Sequence, residues 1–303
     1  MPSSEISVAN APCSWGVLEF GAHAPTYGSA DVLDEIASTG YQGTELGDWG
    51  FLPTDPAVLH DELERRALSL VGAFVPVALA DARAHAGGVA AALRTASLMR
   101  DAGHSDGFIV LADETDGNTR RVAVAGRVTP ADGLSPHQWN VAAQGTTAVA
   151  SAVREQTGLR TVIHPHCGSF VETEAEIDAL LARVDPELLG LCLDTGHVMY
   201  GGGDPLSVYS RHATRVWHVH LKDCEPIVAA EAIRERVDYF EAVRRGVFCE
   251  LGRGAVDFRA FVSALQRQGF RGWAVVEQDV LPSLGTPAAS AERNRAYLRS
   301  IGL

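Results

Sequence analysis

Arg215-Val-Trp-His-Val-His-Leu-Lys-Asp223 is the stretch of sequence that decides the fold. Alternate residues of a β-strand point to the same side, so His218 and His220 share one face of this segment. Lys222, the only lysine among 25 basic residues, follows at the carboxyl end beside Asp223. Polar side chains at the carboxyl ends of parallel strands are typical of active sites in α/β barrels. The segment therefore predicts a barrel with a site at its rim.

Strand-like apolar runs and helix-like segments alternate along the whole chain. The predicted strands are 6–14, 43–46, 69–75, 107–111, 161–164, 190–194, 216–221 and 273–277. The predicted helices are 29–38, 56–67, 88–101, 135–157, 172–184, 205–213, 257–268 and 290–300. Eight strands that are each followed by a helix predict an α/β fold, a single (β/α)8 TIM barrel domain over residues 1–303. The alternative is a doubly wound open sheet, but no G-x-G-x-x-G motif follows the first strand.

Two longer segments interrupt this alternation. Residues 113–133 are polar and Gly-rich; they are expected either to fold over the mouth of the site or to form a mobile surface excursion. Residues 224–254 form an insertion after the seventh strand, with an extra helix predicted near 229–245. Gly252 and Gly254 in this insertion allow a close backbone approach or a positive φ.

Composition excludes several classes of function. The formal net charge of −13 provides neither a basic face for nucleic acid nor attraction to an anionic membrane. Residues 1–5 show no signal-peptide pattern, and the apolar run 68–80 is too short to span a bilayer. The five cysteines form no C-x-x-C motif and are expected to be reduced core residues. We expect a cytoplasmic protein that binds neither nucleic acid nor membrane; a homo-oligomer remains possible.

Four residues of metal-ligand type stand at the ends of the last four predicted strands. They are His164, Asp194, His220 and Glu277. Two imidazoles and two carboxylates suit one divalent ion, Mn²⁺, Co²⁺, Zn²⁺ or Fe²⁺, with Mg²⁺ also considered. A single histidine in such a strand is usually a satisfied core residue, but four ligand-type residues at consecutive strand ends favour a metal site.

The same set supplies candidate catalytic groups. Glu277 and His164 are the candidate bases. Lys222 would stabilise an enolate oxygen, or act as an acid or base with its pKa lowered by a nearby cation. Its alternative role is an ion pair with Asp223 or Glu45.

Five further residues are candidates for substrate binding. His166 and His197 would contact substrate or orient a metal ligand. Glu45 faces the same mouth, and Trp15 offers a flat apolar wall for a sugar ring, although packing at the barrel top explains Trp15 nearly as well. Arg253 would bind a carboxylate or phosphate, or lie on the surface.

Such a set favours chemistry next to a carbonyl. A metal that chelates a carbonyl and the neighbouring hydroxyl acidifies the α-hydrogen, and a base then removes it to give an enolate. Return of the proton elsewhere gives isomerisation or epimerisation, whereas loss of a β-hydroxyl gives dehydration. The residues fit all three outcomes because the first half-reaction is shared.

Several motifs carry a resemblance to a known family. They are Asn10-Ala-Pro-Cys-Ser-Trp-Gly16, Gly40-Tyr-Gln-Gly-Thr-Glu-Leu-Gly47, His164-Pro-His-Cys-Gly168, Leu193-Asp-Thr-Gly-His197, His218-Val-His-Leu-Lys-Asp223 and Gly272-Trp-Ala-Val-Val-Glu-Gln-Asp279. With them the chain resembles the xylose isomerase-like sugar isomerase and epimerase superfamily, and within it the inosose dehydratase branch. The resemblance implies a divalent metal held by strands five to eight. Asp194, His220 and Glu277 match the family's last three ligands, and His164 takes the first position, as in the dehydratase branch.

The leading hypothesis is a metal-dependent isomerase or epimerase that abstracts a proton α to the carbonyl of a keto-sugar or cyclic polyol ketone. The alternative is an inosose dehydratase-like lyase. A metal-dependent phosphodiesterase would need more histidines on strands three and four and a basic groove, but the third strand ends at Phe74-Val75-Pro76. A non-catalytic sugar-binding barrel is the remaining possibility.

Overall fold

The computed structural model describes residues 6–17, 27–279 and 285–303. Residues 1–5, on which the expectation of no signal peptide rests, lie outside these ranges. Among the described helices, none has the length and apolar character needed to cross a membrane.

Within the described ranges, eight parallel strands close into a barrel. They are β1 (Ile6–Asn10), β2 (Gly43–Glu45), β3 (Ser69–Val77), β4 (Phe108–Asp113), β5 (Arg160–His164), β6 (Leu189–Asp194), β7 (Val216–Leu221) and β10 (Gly272–Val276). A separate antiparallel pair is formed by β8 (Asp223–Cys224) and β9 (Phe248–Cys249). Strand β10 pairs with both β7 and β1, which closes the ring. The predicted (β/α)8 barrel is confirmed, and the open sheet is excluded.

α-Helices lie on the outside of the barrel and in the segments beside its mouth. They are α1 (Ser29–Ser38), α2 (Pro56–Glu64), α3 (His85–Asp101), α4 (Thr119–Val124), α5 (Pro136–Thr157), α6 (Glu174–Leu181), α7 (Thr195–Tyr200), α8 (Pro205–His212), α9 (Pro226–Glu235), α10 (Tyr239–Arg244), α11 (Phe258–Arg267) and α12 (Pro287–Ser300). Capping residues start several of them: the Ser135 hydroxyl accepts a hydrogen bond from the backbone N–H of Gln138, and the Asp204 carboxylate accepts from those of Leu206 and Ser207.

The barrel strands are buried on both faces. Every residue of β4 and β6 is buried, as expected when helices cover the outside of a parallel sheet and side chains fill the inside. Many of the polar residues therefore lie at the carboxyl ends of the strands, where the next loop begins, although His218 and Thr161 are buried inside β7 and β5.

The two interrupting segments pack against each other beside the barrel mouth. Val122 and Ala125, on and just after α4, share a small core with Tyr239, Val243 and Phe248 of the insertion. Residues 113–133 are thus anchored beside the mouth, contrary to the interpretation as a mobile surface excursion.

The insertion contains two helices where one was predicted. Arg236 adopts a positive φ of 56° directly after α9, and Asp238 then caps α10 by accepting a hydrogen bond from the backbone N–H of Glu241. The expected close approach at Gly254 is present. A Cβ on this residue would overlap the Asp223 carboxylate, which accepts hydrogen bonds from the backbone N–H groups of Gly252, Gly254 and Val256.

Candidate active site

Four neighbouring strands bring His164, Asp194, His220 and Glu277 together. His164 and Asp194 are the last residues of β5 and β6, and Glu277 directly follows β10. The strand register places His220 beside both Asp194 and Val275. One ligand atom from each of the four residues lies within 4.8 Å of the others. In particular, His220 Nδ1 is 3.2 Å from Glu277 Oε1, and His164 Nε2 is 3.5 Å from Asp194 Oδ2.

The polar atoms of this group fit a cation. Both ring nitrogens of His164, Oδ2 of Asp194 and Nδ1 of His220 are buried and have no hydrogen-bond partner. Buried polar atoms are nearly always paired, so several unpaired atoms facing one another indicate a ligand. A mixed set of imidazole nitrogens and carboxylate oxygens is chemically suited to a divalent transition metal.

Glu45 reaches this group from the opposite wall of the barrel. Its Oε1 lies 2.7 Å from Nε2 of His218 and 3.0 Å from Nε2 of His220. Burial opposes ionisation, but the two histidines lower the pKa of Glu45 to about 2, so the carboxylate is an acceptor and each Nε2 donates. Glu45 thus holds a proton on Nε2 of His220, which leaves Nδ1 as the nitrogen that would bind a cation.

Lys222 is buried beside the same group. Its Nζ lies 3.1 Å from Glu277 Oε2, 3.3 Å from Asp279 Oδ2 and 3.3 Å from His197 Nε2. Its ion-pair partners are therefore Glu277 and Asp279, in place of the expected Asp223 or Glu45. Burial lowers the pKa of Lys222, but the carboxylates led by Asp279 and Glu277 outweigh it and raise the pKa well above its ordinary value. The neighbouring carboxylates therefore raise the pKa of Lys222, whereas the expectation from the sequence was a pKa lowered by a nearby cation.

His166 and His197 form the next layer of the site. Their rings lie 4.2 Å apart between centroids, and burial holds the pKa of each well below its ordinary value, so both are neutral. His166 Nδ1 donates to the carbonyl of Cys167, while Nε2 lies 3.5 Å from the Tyr239 hydroxyl. His197 Nδ1 accepts from the backbone N–H of Cys167.

A cavity of about 620 Å³ opens above these residues. Its lining includes Glu45, His164, His166, His197, Lys222 and Glu277. The structure therefore collects most of the predicted site residues around one space.

Trp15 and Arg253 lie elsewhere. Trp15 is buried, and its indole Nε1–H donates to Glu35 Oε2 over 2.5 Å, so it packs in the barrel top. Arg253 is largely exposed, and its guanidinium pairs with Glu250 at 3.3 Å. Neither lines the cavity.

Asp279, Phe74 and Tyr239 are among the cavity residues to which the sequence assigned no role. Asp279 continues the alternation of Val275 and Glu277, and this spacing was a usable signal. Phe74 and Tyr239 also line the cavity. Tyr239 comes from the insertion, and no periodic pattern in the sequence places it at the barrel mouth.

Comparisons with known proteins agree with this architecture. A family model described as xylose isomerase-like TIM barrel matches residues 33–301. The chain belongs to this family.

Relatives span nearly the full length. The inosose dehydratase of Geobacillus kaustophilus is 30% identical over 95% of this chain and 92% of that protein. A rhizopine catabolism protein of Rhizobium meliloti is 33% identical over 97% of this chain and 87% of that protein. The fold is similar to that of D-allulose 3-epimerase from Methylomonas sp., solved in complex with D-allulose, with a TM-score of 0.67, 18% identity and coverage of 97% and 96%. The relative of known activity that matches nearly the whole chain is thus named as a dehydratase, while the likeness to the epimerase concerns the fold.

Proposed function

We propose that this cytoplasmic enzyme binds one divalent metal ion and removes the proton α to the carbonyl of a keto-sugar or cyclic polyol ketone. The observation that carries the proposal is the convergence of unpaired atoms of His164, Asp194 and His220 beside Glu277. These four residues would hold the ion, which when bound would polarise the carbonyl and its neighbouring hydroxyl.

The remaining steps belong to the protein groups. Burial opposes ionisation of Glu277, but His220 and Lys222 hold its pKa well below the ordinary value, so it is a carboxylate. Its Oε1 faces His220, while Oε2 faces Lys222. Glu277 Oε2 takes the α-proton, the C–H electron pair forms the C=C bond of the enolate, and the C=O π pair moves to the oxygen, where the Lys222 ammonium stabilises the negative charge.

The fate of the enolate decides between two products. Return of the proton to a carbon of the substrate gives isomerisation or epimerisation. Departure of a β-hydroxyl, protonated by a neighbouring acid, gives dehydration. The inosose dehydratase relative that matches nearly the full length favours the second outcome. The D-allulose 3-epimerase structure is only 18% identical to this chain, so its likeness supports the fold and not the reaction.

NMR in D₂O tests this proposal directly. Purified enzyme with Mn²⁺ or Co²⁺ is incubated with keto-sugars and inososes, followed by ¹H NMR of the diamagnetic products after metal removal. Deuterium incorporation, a new epimer and loss of water are three separate readouts.

Two variants assign the residues. We expect His220→Ala to lose metal and activity while the barrel stays folded. Glu277→Gln should lose α-hydrogen exchange by two orders of magnitude or more, as expected for removal of a general base. Exchange at the parental rate in Glu277→Gln, or full activity of His220→Ala without metal, would contradict the assignment.

A further inference from the structure

A second cavity adjoins the candidate active site. It shares Asp48 and Phe74 with the first cavity, and the space within it, with the solvent at its open side, is about 1010 Å³, compared with about 620 Å³ for the first. Its walls come from the end of β3, from α3 and from the loops after β2 and β4. This second cavity, the Trp49 cavity, lies directly beside the first, so it offers room for a substrate that extends beyond one ring.

Trp49 provides an aromatic surface in this second cavity. It is 40% exposed, and in the part of the chain that the structure describes it is the only aromatic among the exposed large hydrophobic residues. The guanidinium carbon of Arg94 lies over the ring at 4.2 Å from its centroid, a cation–π contact that fixes the indole. An indole joins a flat apolar face to one N–H donor, which suits the face of a sugar or aryl ring.

The charged residues of the lining bear on the kind of ring that the Trp49 cavity would bind. The lining contains the carboxylates of Asp48, Glu114 and Asp116 but only one cation, Arg94. Carboxylates accept hydrogen bonds from hydroxyl groups, whereas their negative charge disfavours a phosphate or carboxylate on the ligand. The cavity therefore disfavours an anionic ring and offers acceptors to the hydroxyl groups of a neutral one.

We propose that the Trp49 cavity binds a second, neutral ring joined to the reacting ring by a glycosidic oxygen. The preferred substrate is then a glycoside of a keto-sugar, with the ketone ring in the first cavity and the second ring against Trp49. This inference rests on the proposed function for the position of the ketone.

Steady-state kinetics of α-hydrogen exchange tests the inference. The substrates are one keto-sugar with a free anomeric hydroxyl, its p-nitrophenyl glycoside and its glucosyl glycoside. For the wild type we expect KM to be about tenfold or more lower for at least one glycoside than for the free keto-sugar. The p-nitrophenyl and glucosyl arms distinguish an aryl from a sugar ring.

Three variants separate the Trp49 ring from general effects. Trp49→Ala should raise KM for the preferred glycoside about tenfold and leave KM for the free keto-sugar and both kcat values within twofold. Trp49→Phe, which keeps a flat ring, should recover most of the affinity. Val58→Ala, a truncation of an exposed apolar residue on α2, should match the wild type. An unchanged ratio of the two KM values in Trp49→Ala would overturn the inference.

A binding measurement keeps the inference testable if no keto-sugar reacts. Saturation-transfer NMR with p-nitrophenyl β-D-glucoside and p-nitrophenyl β-cellobioside, which need no turnover, reports contact of the second ring with the protein. Transfer to that ring in the wild type that is lost in Trp49→Ala supports the second-ring site even though the proposed function would fail. Equal transfer in both proteins, or none in either, overturns it.

Discussion

Glu45 controls the orientation of two histidines that lie across the barrel. Its Oε1 accepts from both His218 and His220, and hydrogen bonds of this kind fix the tautomer and ring orientation of metal-binding histidines. Gly72 on β3 makes this reach possible. A Cβ at Gly72 would overlap Glu45 Oε1 and lie 2.9 Å from its Cδ.

Gly72→Ala tests this arrangement without altering any proposed ligand. The added methyl group must displace the Glu45 carboxylate, which is the movable end of a flexible side chain, so we expect the barrel to fold. Loss of the hydrogen bond to His220 should weaken metal binding by about 10- to 100-fold. The measurement is calorimetric titration with Mn²⁺ or Co²⁺, with circular dichroism as the check on folding.

The matched control is Gly87→Ala on α3, where a Cβ would meet no atom within 4 Å. It should bind metal like the wild type. Wild-type affinity in Gly72→Ala would show that the position of Glu45 does not matter for the site.

Asp113 makes stability depend on pH. Burial raises its pKa from 3.8 to about 6, despite hydrogen bonds from the backbone N–H groups of Leu79 and Phe170. The folded protein therefore holds this proton more tightly than the unfolded chain does. The contribution to stability is present below pH 4 and is lost as the pH rises to about 6.

Asp113→Asn should remove this contribution to the pH dependence. Between pH 5 and pH 8 the wild type should lose about 1 to 2 kcal/mol more unfolding free energy than the variant does, since one pKa unit corresponds to about 1.4 kcal/mol. Urea unfolding at the two pH values measures the difference, and Glu114→Gln serves as the neighbouring control. Identical pH dependence in Asp113→Asn and the wild type would exclude Asp113 as its source.

Strand alternation explains which site residues were predictable. His164, Asp194, His220 and Glu277 all occupy the ends of apolar runs, so a period of two and parallel strand ends suffice to bring them together. Trp15 could not be placed in this way. Its indole N–H donates a hydrogen bond to Glu35 on α1. A contact between such distant residues leaves no periodic signal in the sequence.

At the scale of elements, α4 is held by a buried arginine. Arg121 is fully buried and pairs bidentately with Glu176, at 2.7 Å and 3.0 Å. Glu172 lies 3.7 Å away, and its Oε1 accepts a hydrogen bond from the backbone N–H of Gly126. These contacts connect the segment after β4 to α6 and explain why it does not behave as a free loop.

Two adjacent arginines give a paired test of this anchoring. Arg121→Ala leaves Glu176 and Glu172 buried without their cation and should cost about 3 to 5 kcal/mol of unfolding free energy. Arg120→Ala removes a side chain that is 70% exposed, pairs with Asp132 and donates to the Ala131 carbonyl, so its effect should be small. Chemical denaturation compares the two; equal effects would refute the anchoring role of Arg121.

Element boundaries were predictable where capping chemistry is local. The division of 229–245 into α9 and α10 was missed because Arg236, neither glycine nor proline, adopts a positive φ of 56°. Asp238 three residues before Glu241 was an available cue for a new helix start. The packing of α10 against α4 is a contact between distant segments, and one sequence does not specify it.

At the scale of the whole molecule, the candidate metal site connects four consecutive strands of the eight-stranded barrel at its rim. Its four residues come from β5, β6, β7 and the end of β10, which are consecutive around the ring. The apolar core beneath them is extensive and involves none of these side chains. The barrel should therefore fold without the ion, while the ion should add stability by binding only the folded state.

Metal removal tests this coupling. We expect the chelator-treated protein to keep its far-ultraviolet circular dichroism and to melt at a lower temperature. Mn²⁺ at 100 times its Kd should restore about 2.7 kcal/mol, a rise of roughly 5 °C for a protein of this size. His220→Ala should show no such rise. The exposed group of His60, Asp61 and Glu64 on α2 is a competing location for an ion, so His60→Ala is the second control and should respond like the wild type. If the rise in melting temperature with Mn²⁺ persisted in His220→Ala and disappeared in His60→Ala, the metal would bind on this outer helix and not at the barrel rim.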